Sequence, residues 1–394
     1  MHDFSLYLHI PFCRHRCSYC DFNTYAGINN LIPSYISALC REIELLAQSA
    51  GERMPVKTIF FGGGTPSLLP APQIGRVLST VQASFDLEGC QEITLEANPG
   101  TVSLNEFTGL HQLGVNRISL GMQSANPAEL RMLEREHEMD EVVQAVSWAR
   151  QAGFENFNLD LIFGIPDQTM RVWQDNLDQA LALEPDHLSL YALTLEHGTP
   201  MQHQVLNGLL PEPDSDLAAD MYEYASQRLD QAGFIQYEIS NWARPDTNGQ
   251  VMACQHNLQY WRNLPYLGLG AGAHGFAGGY RTANVLTPAA YIQRCLDGER
   301  GSFPYTPATV EAVRVERDAE IADTMMMGLR LVQEGVSGRG FKERFDESLL
   351  DRFGEQIERL LKIGLLEWGG QDNDILRLTR KGRLLGNQVF VEFI

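Results

Sequence analysis

Three cysteines, Cys13, Cys17 and Cys20, fall close together in the order CxxxCxxC. Thiolates are soft ligands, and three so near one another can hold a metal. Structural zinc usually closes around four ligands, and the nearest fourth candidate, His15, lies inside the short loop between two of the cysteines, where reaching the same metal would strain the chain. A 4Fe-4S cluster with three cysteine-bound irons and a fourth left for a cofactor is the more economical reading, with zinc kept as the alternative. Cys40, Cys90, Cys254 and Cys295 are scattered singly and read as small buried apolar residues.

A second feature is Gly62-Gly63-Gly64-Thr65-Pro66, directly after the apolar run 56–61. Consecutive glycines let backbone approach a ligand closely, although alone they mark only a tight turn. Polar residues also recur at the ends of apolar runs: Tyr7, His9, Glu96, Gln123, Asp160 and Thr194. Any one of them could be a cap or a turn residue. Recurring in step, they point to strand ends that converge on one mouth.

The elements that must position these residues follow from periodicity. Strands are predicted at 4–9, 56–61, 92–96, 117–121, 157–162 and 187–191, with helices at 34–47, 71–84, 103–112, 139–152 and 170–182. HQLGV, QAGF and a second QAGF each place a glycine just past a helical run. This α/β rhythm fits an open doubly wound sheet or a partial barrel, and the polar strand ends select a partial (β/α)6, TIM-like barrel over residues 1–235. Residues 236–305, rich in Gly, Asn and aromatics at 240–285, read as a linking region of loops packed on the barrel around a site. Within 306–394, one helix is predicted from Ala308 to Leu331, its Met325, Met326 and Met327 filling core. From Phe341 onward the pattern is helix, helix, hairpin, an α+β arrangement that resembles a winged-helix module. Its long helix sets Asp351, Glu355 and Glu358 against Arg352, Arg359 and Lys362, so it lacks a basic reading face.

The 394 residues carry 30 Lys+Arg against 50 Asp+Glu, a formal charge of −20. That balance argues against a long contact with nucleic-acid phosphates. A hydrophobic content of 44% sets disorder aside. No apolar run reaches bilayer-spanning length, so no integral membrane segment is expected, and the start MHDFSLYLHIPFC lacks the pattern of a signal peptide. A cytoplasmic protein is the expectation.

CxxxCxxC just after a first strand, with Tyr19 before the last cysteine, resembles the radical S-adenosylmethionine superfamily. There the iron free of cysteine chelates the amino and carboxylate groups of the methionine moiety, and GGGTP resembles the motif whose backbone meets that amino group. LYLHIPFC, FGGGTPS, EANPG, SLGMQS, the L-x-R-x-H at 133–137, NLDLIFGIP and HNLQYW narrow the resemblance to the family of oxygen-independent coproporphyrinogen III oxidase and the related heme chaperones, over nearly the whole chain. The resemblance implies that Tyr7, Glu96, Gln123, Arg135, Asp160, Ile162 and Thr194 line an S-adenosylmethionine pocket, with His9 near the cluster. Asp160 would accept from ribose hydroxyls, Arg135 would pair with the carboxylate, and Ile162 would pack on adenine.

His256 to Trp261 matches the HNxxYW motif of the chaperone branch. It implies heme held against Tyr260 and Trp261 with His256 as axial ligand, Cys254 competing for the iron. The plain alternative is a histidine hydrogen-bonded within an aromatic loop. No CxxCH is present for covalent attachment. The oxidase is expected to carry Cys-x-Cys where this chain has Cys20-Asp21-Phe22, and this chain begins almost at its first strand, without room for the oxidase's N-terminal extension. The expected function is therefore a heme chaperone with a radical S-adenosylmethionine core and no coproporphyrinogen oxidase activity. Its implied partners are a heme-accepting apo-protein and an electron donor, with a homodimer left open. The oxidase is the alternative, and a nucleic-acid role for the terminal module is disfavoured by charge.

Overall fold

The computed structural model describes residues 3–394, which form two compact units. Among the described residues the first comprises 3–227 with Pro265–Val313, the second Arg228–Leu264 with Arg314–Ile394. The stretch 236–305 is thus divided between them at Leu264 and Pro265.

In the first unit six strands lie side by side in chain order: β1 (Phe4–Ile10), β2 (Val56–Gly63), β3 (Glu92–Ala97), β4 (Arg117–Gln123), β5 (Phe157–Phe163) and β6 (His187–Ala192). All neighbouring pairs are parallel. The connections carry α1 (Ile32–Ala50), α2 (Ala71–Ser84), α3 (Leu104–Gln112), α4 (Met139–Gln151) and α5 (Met170–Ala182). An order that never reverses is that of a barrel, whereas a doubly wound sheet would switch direction at its middle. The fold is the partial (β/α)6 barrel that the polar strand ends predict.

Alternation along each strand builds the two faces. Leu6, Leu8 and Ile10 of β1, Ile118, Leu120 and Met122 of β4, and Leu159 and Leu161 of β5 are buried on one face. The intervening residues are polar or small: Ser5, Tyr7 and His9; Arg117, Ser119, Gly121 and Gln123; Asn158 and Asp160. Their side chains bond to one another across strands, as in Ser5 Oγ to Thr58 Oγ1 at 2.6 Å and Asn158 Nδ2 to Ser119 Oγ at 2.7 Å. A period of two therefore gives a greasy outside for the helices and a hydrogen-bonded inside. The helices are fastened by caps, for example Ser103 accepting from Glu106 N at 3.3 Å and Thr169 from Val172 N at 3.3 Å.

The structure differs from the sequence expectation in four places. Helix α1 starts at Ile32 with Pro33 in its first turn, and β4 continues to Gln123. The Gly-rich stretch expected as loops holds strands: Tyr266–Leu269 pairs parallel with β1, followed by the antiparallel His274–Ala277 and Tyr280–Asn284. Glycine here serves close approach, since a Cβ on Gly268 would lie 1.8 Å from the His274 carbonyl oxygen. The predicted helix 308–331 is a strand, Thr309–Arg314, and then a helix, Arg317–Gly328, because the β-branched Val310 and Val313 favour the extended form.

The second unit contains a hairpin of Ile235–Glu238 and Asn241–Ala243, the helix Gln255–Trp261, and the helices Gly338–Phe345 and Leu349–Lys362 beside a three-stranded antiparallel sheet. Met325, Phe341, Leu349, Phe353, Ile357 and Leu376 share its core. Arg352 pairs with Asp318 at 2.8 Å, and Arg359 pairs with Glu392, so two cations of the long helix are engaged within the unit. Among the described residues no helix is long and apolar enough to cross a membrane.

Candidate functional site

The C-terminal strand ends of the barrel surround a cavity of about 370 Å³. Its outer wall is the cysteine loop. Phe12–Cys13 pairs with Tyr25–Ala26, which closes the loop into a ring, and Met201 N donates to Ser18 O at 2.9 Å to hold its far side. Cys13, Cys17 and Cys20 all line the cavity. Gly64 follows β2 and packs against the loop: a Cβ there would meet the Phe12 carbonyl at 2.7 Å and Cys13 Sγ at 3.1 Å. Thr65 Oγ1 donates to Cys13 Sγ at 3.6 Å. Burial pushes the Cys13 and Cys20 thiols up in pKa, and the Thr65 hydroxyl partly opposes this at Cys13.

Among the described residues no set of three or more His, Cys, Asp or Glu side chains is arranged to hold a single metal ion. Three thiols spread around one cavity suit a cluster, in which each thiolate takes a different iron, better than a zinc on which all ligands converge. His15 turns instead to Glu134, Nε2 to Oε2 3.1 Å. The donor set and the glycine cradle fit a 4Fe-4S cluster.

Next to the thiols lies a belt of acceptors and donors. Gly63, at φ 113°, turns its N–H to Glu96 Oε2 at 3.1 Å. Burial first, and then the charge of Asp160, pushes the Glu96 carboxyl up to about 8, while the Gly63 N–H and Arg117 oppose. Asp160 accepts from Asn158 Nδ2 at 2.8 Å and from Ser119 Oγ at 3.0 Å. Burial raises its carboxyl and those donors pull the other way. Asn158 is itself fixed from below, its Oδ1 taking His187 Nδ1 at 2.7 Å and Ser189 Oγ at 3.1 Å. Arg135 donates to Asn98 Oδ1 at 2.7 Å, to Gly121 O at 3.0 Å and to Cys17 Sγ at 3.6 Å, which sets a guanidinium beside the cysteine loop. Gln123 ends β4 at φ 63°, Ile162 gives the cavity an apolar wall, and Thr194 stands exposed at its rim.

Three residues expected at the site stand behind it. Tyr7, His9 and Gly62 do not line the cavity. The Tyr7 hydroxyl donates to His9 Nδ1 at 3.0 Å, and His9 Nε2 donates to Asn23 O at 2.9 Å, a tautomer assigned from the carbonyl's being an acceptor only. Burial lowers the His9 pKa and keeps the ring neutral. The ring occupies the space beside Gly63, where a Cβ would lie 2.5 Å from it, and Tyr7 packs in the same way under Gly62. These side chains hold the glycine motif in place from its rear.

Asn98, Ser119, Gly121 and Tyr191 line the cavity without having been singled out from the sequence. The signal was present: Ser119 and Gly121 share the period-two face of Gln123, and Tyr191 that of His187 and Ser189. Phe22 and Tyr191 put exposed rings at the rim, 64% and 44% accessible.

His256, Tyr260 and Trp261 belong to the second unit. His256 is 1% exposed, and its Nε2 lies 2.9 Å from the Tyr260 hydroxyl, the rings meeting edge to face at 4.9 Å. The Arg330 guanidinium covers the Trp261 ring at 4.7 Å. Cys254, also buried, sits at the start of their helix. Trp261 borders a cavity of about 150 Å³, smaller than the roughly 300–1,000 Å³ of sites that enclose drug-sized ligands.

Comparison with known proteins gives matches along the chain. Residues 7–180 match the radical SAM superfamily and residues 315–385 the HemN C-terminal domain. The chain is 38% identical to the heme chaperone HemW of Bacillus subtilis, over 99% of each chain. It is 42% identical to the heme chaperone HemW of Escherichia coli, over 75% of this chain and 78% of that one. Among solved structures, coproporphyrinogen III oxidase (HemN) from Escherichia coli superposes with a TM-score of 0.82 at 26% identity, covering 100% of this chain and 90% of that one.

Proposed function

The chain belongs to the heme chaperone HemW family within the radical SAM superfamily, and on that premise we propose that it binds heme and delivers it to an acceptor apo-protein. A 4Fe-4S cluster on Cys13, Cys17 and Cys20 and S-adenosylmethionine in the barrel cavity complete the proposal. The observation that carries it is the likeness over 99% of both chains to a protein named as a heme chaperone. Phe22 at the cavity rim supports it further, because a phenyl ring supplies no thiolate where the oxidase is expected to have one.

When bound, the cluster supplies an iron with an open coordination position and a reservoir for one electron. The chain's own residues would bind and orient the cofactor. The Gly63 and Gly64 backbone permits close approach, and Glu96 presents a carboxyl that a cationic amino group would draw into its ionised form. Arg135 pairs with the carboxylate, Asp160 accepts from the ribose hydroxyls, and Ile162 packs against the adenine. For the heme, His256 is the proposed axial ligand with Cys254 as competing donor, and ligation through His256 Nε2 requires the Tyr260 hydroxyl to let go. An electron donor for the cluster and a cytoplasmic location belong to the same reading.

The test is to give the anaerobically reconstituted protein coproporphyrinogen III, S-adenosylmethionine and a reductant, and in parallel to titrate it with heme and offer an apo-acceptor. Stoichiometric heme binding, transfer and no protoporphyrinogen IX are expected. Turnover without stable heme binding would overturn the chaperone reading in favour of the oxidase.

A further inference from the structure

One charged group in the barrel unit has no place in the proposed chemistry and is fully buried. Glu42, on α1, is 0% exposed and accepts four hydrogen bonds. Its Oε2 takes Gly270 N at 2.8 Å and the Tyr291 hydroxyl at 2.6 Å. Its Oε1 takes Asn284 Nδ2 at 2.8 Å and the Thr306 hydroxyl at 2.7 Å. All four donors come from the segment that returns to the barrel after Pro265. A buried carboxylate is expensive unless its lone pairs are satisfied, and here each oxygen has two donors.

The turn that Glu42 holds leads straight to the cysteine loop. Ala271 N, one residue beyond Gly270, donates to the Tyr35 hydroxyl at 2.8 Å, and that hydroxyl donates to His9 O at 2.8 Å. Asn23, three residues past Cys20, donates through Nδ2 to Ala271 O at 3.0 Å and to Leu286 O at 2.9 Å. The backbone of Asn23 in turn receives His9 Nε2, whose ring backs Gly63. Contact is tight enough that a Cβ on Gly270 would lie 2.6 Å from His9 O, and one on Gly272 2.4 Å from Asn23 Nδ2. Two glycines of the GLGAGAHG stretch are thereby accounted for: Gly270 lets this turn press against β1, and Gly272 against the cysteine loop.

We infer that Glu42 is a positioning residue for the cysteine loop, acting through the 270–273 turn and Asn23 to fix the end of the loop that follows Cys20. Its bearing on cluster retention rests on the proposal that the loop holds a cluster. Glutamine at this position keeps the size but not the acceptor count. Turned one way, its NH2 faces the Gly270 backbone N–H, which cannot turn round; turned the other, it faces the Asn284 amide, which could turn only by giving up its bond to Gly270 O at 3.1 Å.

The test measures chelator-driven loss of the cluster, followed by absorbance, in Glu42→Gln, Asn23→Ala and the double variant, together with thermal unfolding and hydrogen exchange of the cluster-free chains. Loss on the order of tenfold faster in each single variant, with the double no worse than either, is expected. Exchange at residues 23–26 should rise in cluster-free Glu42→Gln. A lowered melting temperature with cluster loss and loop exchange unchanged would make Glu42 a fold anchor only and overturn the inference, as would multiplicative effects in the double variant. Should Glu42→Gln not fold, Tyr291→Phe and Thr306→Val each remove one donor and should give smaller increases of the same kind; no increase in either overturns the inference. A wild-type chain without a cluster would refute the cluster reading, while the exchange measurement would still decide for or against Glu42.

Discussion

The barrel mouth and the HNxxYW helix both gather polar side chains, with opposite results. Around the mouth, Glu96 and Asp160 arrive from different strands, which the ladders keep apart, and face a space shared with Arg135 from the segment between two helices. On the helix, His256 and Tyr260 are four residues apart and therefore neighbours on one face, where they bond to each other and are covered. The first unit presents an open cavity, whereas in the second His256 is covered and its Nε2 already meets the Tyr260 hydroxyl.

The largest expected difference between the two regions is loss of the cluster. Cys17→Ser should leave iron and sulfide at background and remove the cluster absorbance, because a hydroxyl is a poor substitute for a soft thiolate. A full cluster in that variant would break the assignment of the mouth. Second is Asp160→Asn, which exchanges a charged acceptor for a neutral one. Removing a hydrogen bond to a charged group costs roughly 1.5–3 kcal/mol, so S-adenosylmethionine should bind roughly tenfold or more weakly by calorimetry. Unchanged affinity would show that the ribose is held elsewhere.

Part of the mouth was legible in the sequence because Glu96, Gln123, Asp160 and Thr194 sit near or just past strand ends, which periodicity and turn chemistry announce. The cysteines were legible by spacing, and Arg135 and Ile162 only through the family resemblance. The three cysteines, Gly63, Gly64, Thr65, Glu96, Gln123, Arg135, Asp160, Ile162 and Thr194 meet around one cavity as expected. Tyr7 and His9 were harder, since alternation puts them on the inner face of β1 but does not reveal that the glycine turn lies between them and the cavity. The strands at 266–284 were missed because glycine reads as a loop when the partner whose approach demands it lies far away in the chain. The covered state of His256 was equally invisible, because its burial comes from tertiary packing that no local pattern announces.

The third prediction sharpens the account of the mouth through pH. In the empty chain the Glu96 carboxyl titrates near 8, against an ordinary value of 4.5. The folded state therefore holds a proton that the unfolded state releases. This contribution to stability is fully present below about 4.5 and is lost as pH rises through 8, with a slope of at most about tenfold in the folding equilibrium per pH unit. Melting temperature should fall between pH 5 and 8.5 for the cofactor-free protein, less steeply in Glu96→Gln. Equal slopes would place the titration on another group.

The smallest effect is expected in the second unit, from Tyr260→Phe. The variant removes the neutral hydrogen bond between the Tyr260 hydroxyl and His256 Nε2, worth about 0.5–1.5 kcal/mol. Melting of this unit should fall by about 2–8 °C. If His256 is the axial ligand, the free protein no longer has to break that bond before the iron is met, so heme should bind about fivefold more tightly. His256→Ala should then change the absorption of the complex. Weaker or equal heme binding in Tyr260→Phe, with an unaltered spectrum in His256→Ala, would mean that the pair serves packing alone. A spectral change confined to Cys254→Ser would move the iron to the thiolate at the head of the same helix, and the contrast between an open mouth and a closed motif would then concern only the route by which heme enters.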